Sequence, residues 1–377
     1  MTVWRVLAAL LSALICLAAP ALAEENAVDI VDIVGVVDAV DLSALEKAAE
    51  GADVDVREMI LSIASGEDAW DIEQLLEKAK DTLLSELSRA AGMVVGLLAP
   101  ALLSALARQL AGDGRGTAVV SQIAYLVCAA RLTTWFLSLI ADAQALTLRI
   151  ASLSDAMFPV MATLLSLSGA TASAALVTPL SALAGNAFSA LLAGVGLKLC
   201  ALASALAVAG NLSPKLRLDR LFELVKGIVN WATGVLMTGF LGLSAVKALL
   251  GSGYDSAAVR TARYAVDNLL PIIGGEVANT MDALVSSVLL VKNAAGVTGI
   301  MVLVSICARP LMALIAALIA LKLVSAMLEP VAEDQLLELS DKFSGVAGML
   351  LVVCVSGAVI LTLLLGGVLT AGQGIVR

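Results

Sequence analysis

The residues with the most chemical potential in this 377-residue chain fall in one stretch, Asp267-Asn-Leu-Leu-Pro271-Ile-Ile-Gly274-Gly275-Glu276-Val-Ala-Asn-Thr-Met-Asp282, followed by Lys292-Asn293-Ala-Ala-Gly296. The surroundings are apolar, and a charge at membrane depth costs on the order of 3 kcal/mol. Glu276, Asp282 and Lys292 must therefore pair, face a cavity or sit at a membrane surface. Asp282 and Lys292 are too far apart for a local helical pair, which needs a spacing of three or four. Two readings stay open. In one, Pro271 and Gly274-Gly275 break a helix and the three charges line an aqueous path, as at the discontinuous helices of transporters. In the other, Asp282 and Lys292 mark the two ends of a short helix among lipid headgroups.

Other chemistry is excluded by what the chain lacks. There is no histidine, so the usual general base, proton relay and commonest metal ligand are missing together. The cysteines Cys16, Cys128, Cys200, Cys307 and Cys354 stand singly in apolar stretches and read as small hydrophobes. Neither a phosphate-binding lysine loop, a nucleophile elbow, a zinc-protease helix nor a dinucleotide fingerprint is present. We expect no enzyme, no catalytic residue, no metal and no cofactor.

The elements that must position the charged stretch are membrane helices. Hydrophobic residues make up 60% of the chain and charged ones 15%, more apolar surface than one soluble core could hide. Ala, Leu, Gly, Ser and Val dominate, the palette of helices that approach closely in lipid. Apolar runs of about 20 residues disfavour a transmembrane β-barrel, whose strands alternate over about ten. We read spans at 92–110, 117–140, 157–184, 187–210, 228–250, 296–323 and 344–371. A further stretch at 271–291 is a short span, a re-entrant hairpin or a buried helix, giving an all-α polytopic bundle of about seven or eight spans. Arg131, Lys198, Lys247, Arg309 and Lys322 fall inside apolar segments and are expected to snorkel, Arg131 and Lys198 being the deepest. Gly234 with Thr238, Ala205 with Ala209, and Gly345 with Gly348 are small-residue pairs suited to close helix contact. The stretch Pro214 to Lys226 alternates charge with Leu and Val, as an interfacial helix does.

The N-terminal part has a different character. Residues 1–23 carry Arg5, an apolar run and Ala21-Leu22-Ala23, the pattern of a secretory signal peptide; the alternative is an uncleaved first span, and either way residues 24–90 are exported. That block holds 18 acidic and 5 basic residues, against 14 and 18 in the rest. No basic stripe exists to neutralise phosphates, so nucleic acid is not an expected partner. Within the block, Ile72, Leu75, Leu76, Leu83, Leu84 and Leu87 recur at helical spacing, making an amphipathic helix that leads into the membrane domain, 91–377. Its apolar face serves either a partner outside the cytoplasm or the bilayer and its own domain.

A candidate internal repeat joins Asp155-Ala-Met-Phe-Pro159-Val-Met with Asp267-Asn-Leu-Leu-Pro271-Ile-Ile. Each Asp could cap a helix whose first turn the Pro pre-sets, and three spans per unit would invert the second copy.

The segment Leu270-Pro271-Ile-Ile-Gly274, with Asp282 downstream and Leu289-Leu-Val-Lys292-Asn293-Ala-Ala-Gly296 beyond it, resembles the stage III sporulation protein AE family of endospore-forming bacteria. The leader, the exported acidic block, the polytopic C-terminal part and the length fit along nearly the whole chain. The resemblance implies a subunit of the complex that the mother cell assembles across the two membranes around the forespore. Its partners would be other sporulation membrane proteins and the bilayer, with self-association left open. Its place would be the mother-cell membrane, with the mature N-terminus outside the cytoplasm. A stand-alone secondary transporter and a passive scaffold are the rival expectations.

Overall fold

The computed structural model describes residues 30–52, 54–66, 72–112, 114–171, 174–175, 192, 194–212, 218–242, 274–329 and 334–370. Helix is the only regular structure among them. Three short helices come first, α1 (Ile30–Asp38), α2 (Ser43–Ala48) and α3 (Val56–Ala64). Their starts are written in the sequence. Asp55 caps α3 by accepting from the Glu58 amide at 3.1 Å, and Asp41 accepts from the Ser43 hydroxyl and amide ahead of α2. Those two hydrogen bonds, the hydroxyl's first, hold the Asp41 carboxyl below the usual carboxylate range. Ile33, Val37, Leu45, Val56 and Ile60 turn inward, while an Arg57–Asp38 ion pair ties α3 to α1 on the outside. The small unit rests on the bundle, α1 and α3 against α8 and α2 against α5.

The bundle consists of α4 (Ile72–Ala111), α5 (Arg115–Leu167), α6 (Leu197–Leu212), α7 (Asp219–Gly242), α8 (Gly274–Leu328) and α9 (Asp334–Leu369). Helix α5 has 53 residues and α8 has 55, each about 80 Å at a rise of 1.5 Å per residue. Either is more than twice the thickness of a bilayer's hydrocarbon core, about 30 Å. Among the described residues five helices are long and apolar enough to cross a membrane: Glu77–Leu110, Arg115–Leu167, Asp219–Gly242, Ala283–Leu328 and Gln335–Leu369.

Those five differ from the spans read from sequence for a physical reason. Hydropathy falls at 141–156, where Asp142, Arg149 and Asp155 cluster, but the intervening Ala, Leu, Gln and Thr contain neither Gly nor Pro, so nothing ends the helix. The span drawn at 117–140 and the first part of that drawn at 157–184, as far as Leu167, are therefore parts of α5. Likewise the described part of 271–291 runs without a break into 296–323 as α8. The interfacial stretch before Lys226 belongs, from Asp219, to the same helix as the span that follows. The composition boundary near residue 90 falls inside α4. Real ends carry glycine: α5 begins after Gly112 at φ +64° and closes before Gly169 at φ +83°, where the Ala170 amide reaches back to the Leu165 carbonyl at 2.9 Å.

Asp155 and Pro159 lie in the interior of α5, so Asp155 caps no helix start, and the helix-start reading of the candidate repeat fails in its first copy. Pro159 costs one backbone bond, from its own position to the Asp155 carbonyl, and the flanking turns hold the helix together. The second copy's Asp267 and Pro271 lie outside the described residues, as do the leader at 1–23 and Lys247.

Helices α8 and α9 form an antiparallel hairpin, and α4, α5 and α6 pack around it. Phe136 of α5 stacks edge-on against Phe343 of α9, centroids 4.6 Å apart, both fully buried. Further along, Met157 of α5 and Leu365 of α9 close on Gly299 of α8. Since 136 to 157 and 343 to 365 advance nearly equally, α5 and α9 run parallel and in register.

Candidate functional site

Lys292 is the centre of the site. It stands within α8 and is wholly buried, and its ammonium donates to the Leu369 carbonyl at the end of α9, 3.0 Å away. The last carbonyls of a helix lack intrahelical donors and carry the negative end of its dipole, so a cation there answers both needs. The same face of α8 carries Gly296 and Gly299, four and seven residues on. A Cβ at Gly296 would run into the Leu369 side chain, and one at Gly299 into Met157. Glycine at these positions lets α8 meet α9 and α5 closely enough for the lysine to reach its acceptor.

Beside this lock two polar atoms are buried without a hydrogen-bond partner among the described residues, Asn293 Oδ1 and Thr298 Oγ1. Thr298 is wholly buried. Ser287 is buried too, its hydroxyl satisfied by the Ala283 carbonyl at 2.9 Å. Among the described residues, the buried polar ones of α8, Ser287, Lys292 and Thr298, thus all fall within this one stretch.

Gly274, Gly275, Glu276 and Asp282 form the first turns of α8, so Asp282 and Lys292 share one uninterrupted helix about 15 Å apart along its axis. Lys292 is not at a helix end in the headgroups; the helix runs on for 36 residues to Leu328. Asn293 is half-buried beside it. Pro271 and Asp267 lie outside the described residues. No group of three or more Cys, Asp or Glu that could hold a metal occurs among the described residues.

Three ionic links were missed by sequence reading. Glu86, on the expected polar face of the amphipathic stretch, is buried, whereas Leu84 is 53% exposed. The carboxylate accepts from Arg89 at 2.8 Å and from Arg309 of α8 at 3.3 Å, fastening α4 to α8. Arg309 is thus an ion-pair partner, beyond the snorkelling expected of it. Lys342 of α9 meets Asp219 of α7 at 2.6 Å and Glu338 at 2.7 Å. Lys322 lies 3.8 Å from Asp341 across the α8–α9 turn. Only the spacings of Glu86 and Arg89, three apart, and of Glu338 and Lys342, four apart, were local signals. Of the small-residue pairs, a Cβ added at Gly345 would reach the Phe222 ring in ordinary contact at 3.5 Å, but one at Gly234 or Gly348 would meet open space; the tight approaches are at Gly96, Gly296 and Gly299.

Comparison with known proteins agrees with the residues that suggested a family. The chain is 27% identical over 189 residues to a Bacillus subtilis (strain 168) protein named stage III sporulation protein AE, a match covering 50% of this chain and 47% of the relative. The chain thus spans about half the length of the curated relative it matches. No solved structure matches it. The family described as stage III sporulation protein AE matches residues 54–372, which includes α3 to α9 and the whole Lys292 lock, and the chain belongs to that family.

Proposed function

We propose that this protein is the membrane-embedded subunit of the channel or secretion-like complex that serves the developing forespore, residing in the mother-cell membrane with its N-terminal helices outside the cytoplasm. Membership in a stage III sporulation family carries the reading, and five helices of spanning length and composition support it. In this role the chain does no covalent chemistry. Its work is to hold a helical frame in lipid and to present surfaces to other sporulation membrane proteins.

The site favours a frame over a stand-alone transporter. A lysine on a transport path must exchange partners with the permeant, whereas Lys292 is enclosed by packed side chains and spans between two helices. Affinity capture of the full-length tagged protein from sporulating cells tests the proposal. Recovery of other sporulation-specific membrane proteins is the expected result. Recovery of the protein alone, at normal abundance, would overturn it and return Glu276, Asp282 and Lys292 to candidacy as a permeation path.

A further inference from the structure

Arg131 is one of the deep charges of the bundle that the intramolecular ion pairs leave out, and it is the one that crosses a neighbouring helix at a glycine. It lies on α5, with no hydrogen bond and no acidic partner among the described residues, and it is exposed. Its guanidinium crosses α4 at Gly96, with Nη1 in the place a Cβ there would take. Pro100 lacks the amide that would donate to the Gly96 carbonyl, so glycine and proline together give the guanidinium both room and a polar surface. The neighbouring helix contact is fixed, with Cys128 donating to the Leu97 carbonyl at 3.6 Å and Ser104 bonded to Ser121 at 3.0 Å. Along α4 the guanidinium sits about 10 Å from Arg89 and about 18 Å from Arg108, within the apolar stretch, where an unpaired charge is costly. Val95 and Val127 beside it are exposed, and Gly92 faces open space.

The complement of such a charge is a carboxylate at the same height, and this chain carries one. Phe136 and Phe343 stack, and α5 and α9 run parallel, so Arg131 and Glu338, each five residues before its phenylalanine, lie level. Glu338 belongs to a patch in which three carboxylates, Asp219, Glu338 and Asp341, are held by two ammonium groups, Lys342 and Lys322. All three carboxylate side chains are half or more exposed. Within one chain Arg131 faces α4, while the acidic patch joins α7, α8 and α9. The surplus acid on one surface and the unpaired base on another are opposite in sign and equal in depth, the arrangement of a head-to-tail contact between identical subunits.

We infer that Arg131 of one copy docks against the Glu338 patch of a second copy of this chain, so that the protein self-associates head to tail in the membrane. The test uses two differently tagged full-length copies made together in a host that does not sporulate, where other complex members are absent, with co-capture measured from solubilised membranes. Wild-type copies are expected to co-capture. Arg131→Leu and Glu338→Gln should each lower co-capture at least tenfold at equal abundance. The double variant should fall no further than either single, because both remove one contact. Arg131→Lys should keep most of the signal, and Gly92→Leu, which meets nothing within its own chain, should reduce it. Unchanged co-capture in Arg131→Leu would overturn the inference, as would multiplying effects of the two single changes or wild-type copies that never co-capture. Loss of bound anionic phospholipid from Arg131→Leu with co-capture intact would assign the arginine to a lipid phosphate and overturn it equally.

Discussion

Helices α9 and α7 are both apolar enough to cross a membrane, yet they meet different surroundings. In the most apolar 18 residues of α9, 78% are buried inside the protein; for α7 the share is 22%. Helix α9 is enclosed by α8, α5 and α6, and its neighbours reach it through glycine notches and a buried lysine. Helix α7 turns Leu221, Leu224, Ile228, Trp231 and Val235 outward, where lipid or another chain can receive them. Hydropathy admits both as spans, though it ranks α9 higher, because it measures the preference for leaving water and not the choice between lipid and protein. In lipid that choice is made by shape and polar contacts, so substitutions of equal size should have unequal effects on the two helices.

The sharpest contrast is expected between two glycines. Gly299→Leu would drive a side chain into Met157 and Leu365 and should destabilise the purified protein by about 1–3 kcal/mol, seen as a lower melting temperature in detergent. Gly234→Leu on α7 meets open space and should leave the melt unchanged. Equal melts would mean that the α8–α9–α5 junction is loose and the comparison void.

The lock itself should cost at least as much. Lys292→Ala removes the donor to the Leu369 carbonyl and leaves a cavity, at a cost of about 2–4 kcal/mol. Lys292→Met keeps most of the volume and should cost about half as much. A transport role predicts another pattern, with Lys292→Met abolishing function while the melt stays at wild-type values. Glu86→Gln comes third. The carboxylate is buried but both arginines are largely exposed, so screening limits the loss to about 1 kcal/mol. It should appear as protease sensitivity near the N-terminal end of α4 before any change in the global melt.

These effects also mark how much was legible in advance. The helical class and the membrane setting followed from composition, and Lys292 stood out as one charged residue in an apolar run, although its burial between two helices did not follow from that. The junction at Gly296 and Gly299 was half visible, since Gly296 closes the distinctive Lys292-Asn293-Ala-Ala-Gly stretch, but nothing local names Leu369 as the acceptor. Helix ends were misread wherever polarity was taken for a break: Asp142, Arg149 and Asp155 lower hydropathy without disturbing backbone hydrogen bonds, and Pro159 is absorbed in a long helix. Glu86 illustrates the opposite error, because periodicity assigns a carboxylate to solvent until a partner from another helix is known. Distant ion pairs such as Lys342 with Asp219 have no sequence signature, as they depend on which helices become neighbours.

The smallest effect on stability, and the most direct reading of surroundings, belongs to Trp231. It is 70% exposed on α7, so Trp231→Phe should change stability by no more than about 0.5 kcal/mol. Its fluorescence carries the information instead. In vesicles of brominated phospholipid, a variant retaining only Trp231 should be strongly quenched, since bromine on the acyl chains would touch the indole. A variant retaining only Trp135, half-buried and edge-on to Phe136 with centroids 5.8 Å apart, should be quenched less. If Trp231 escapes quenching, protein covers the outward face of α7, and the contrast with α9 becomes one between contacts within a chain and contacts between chains. Dilution of the protein in lipid separates the two cases, because a cover made by a second copy comes off as copies are drawn apart and quenching then rises.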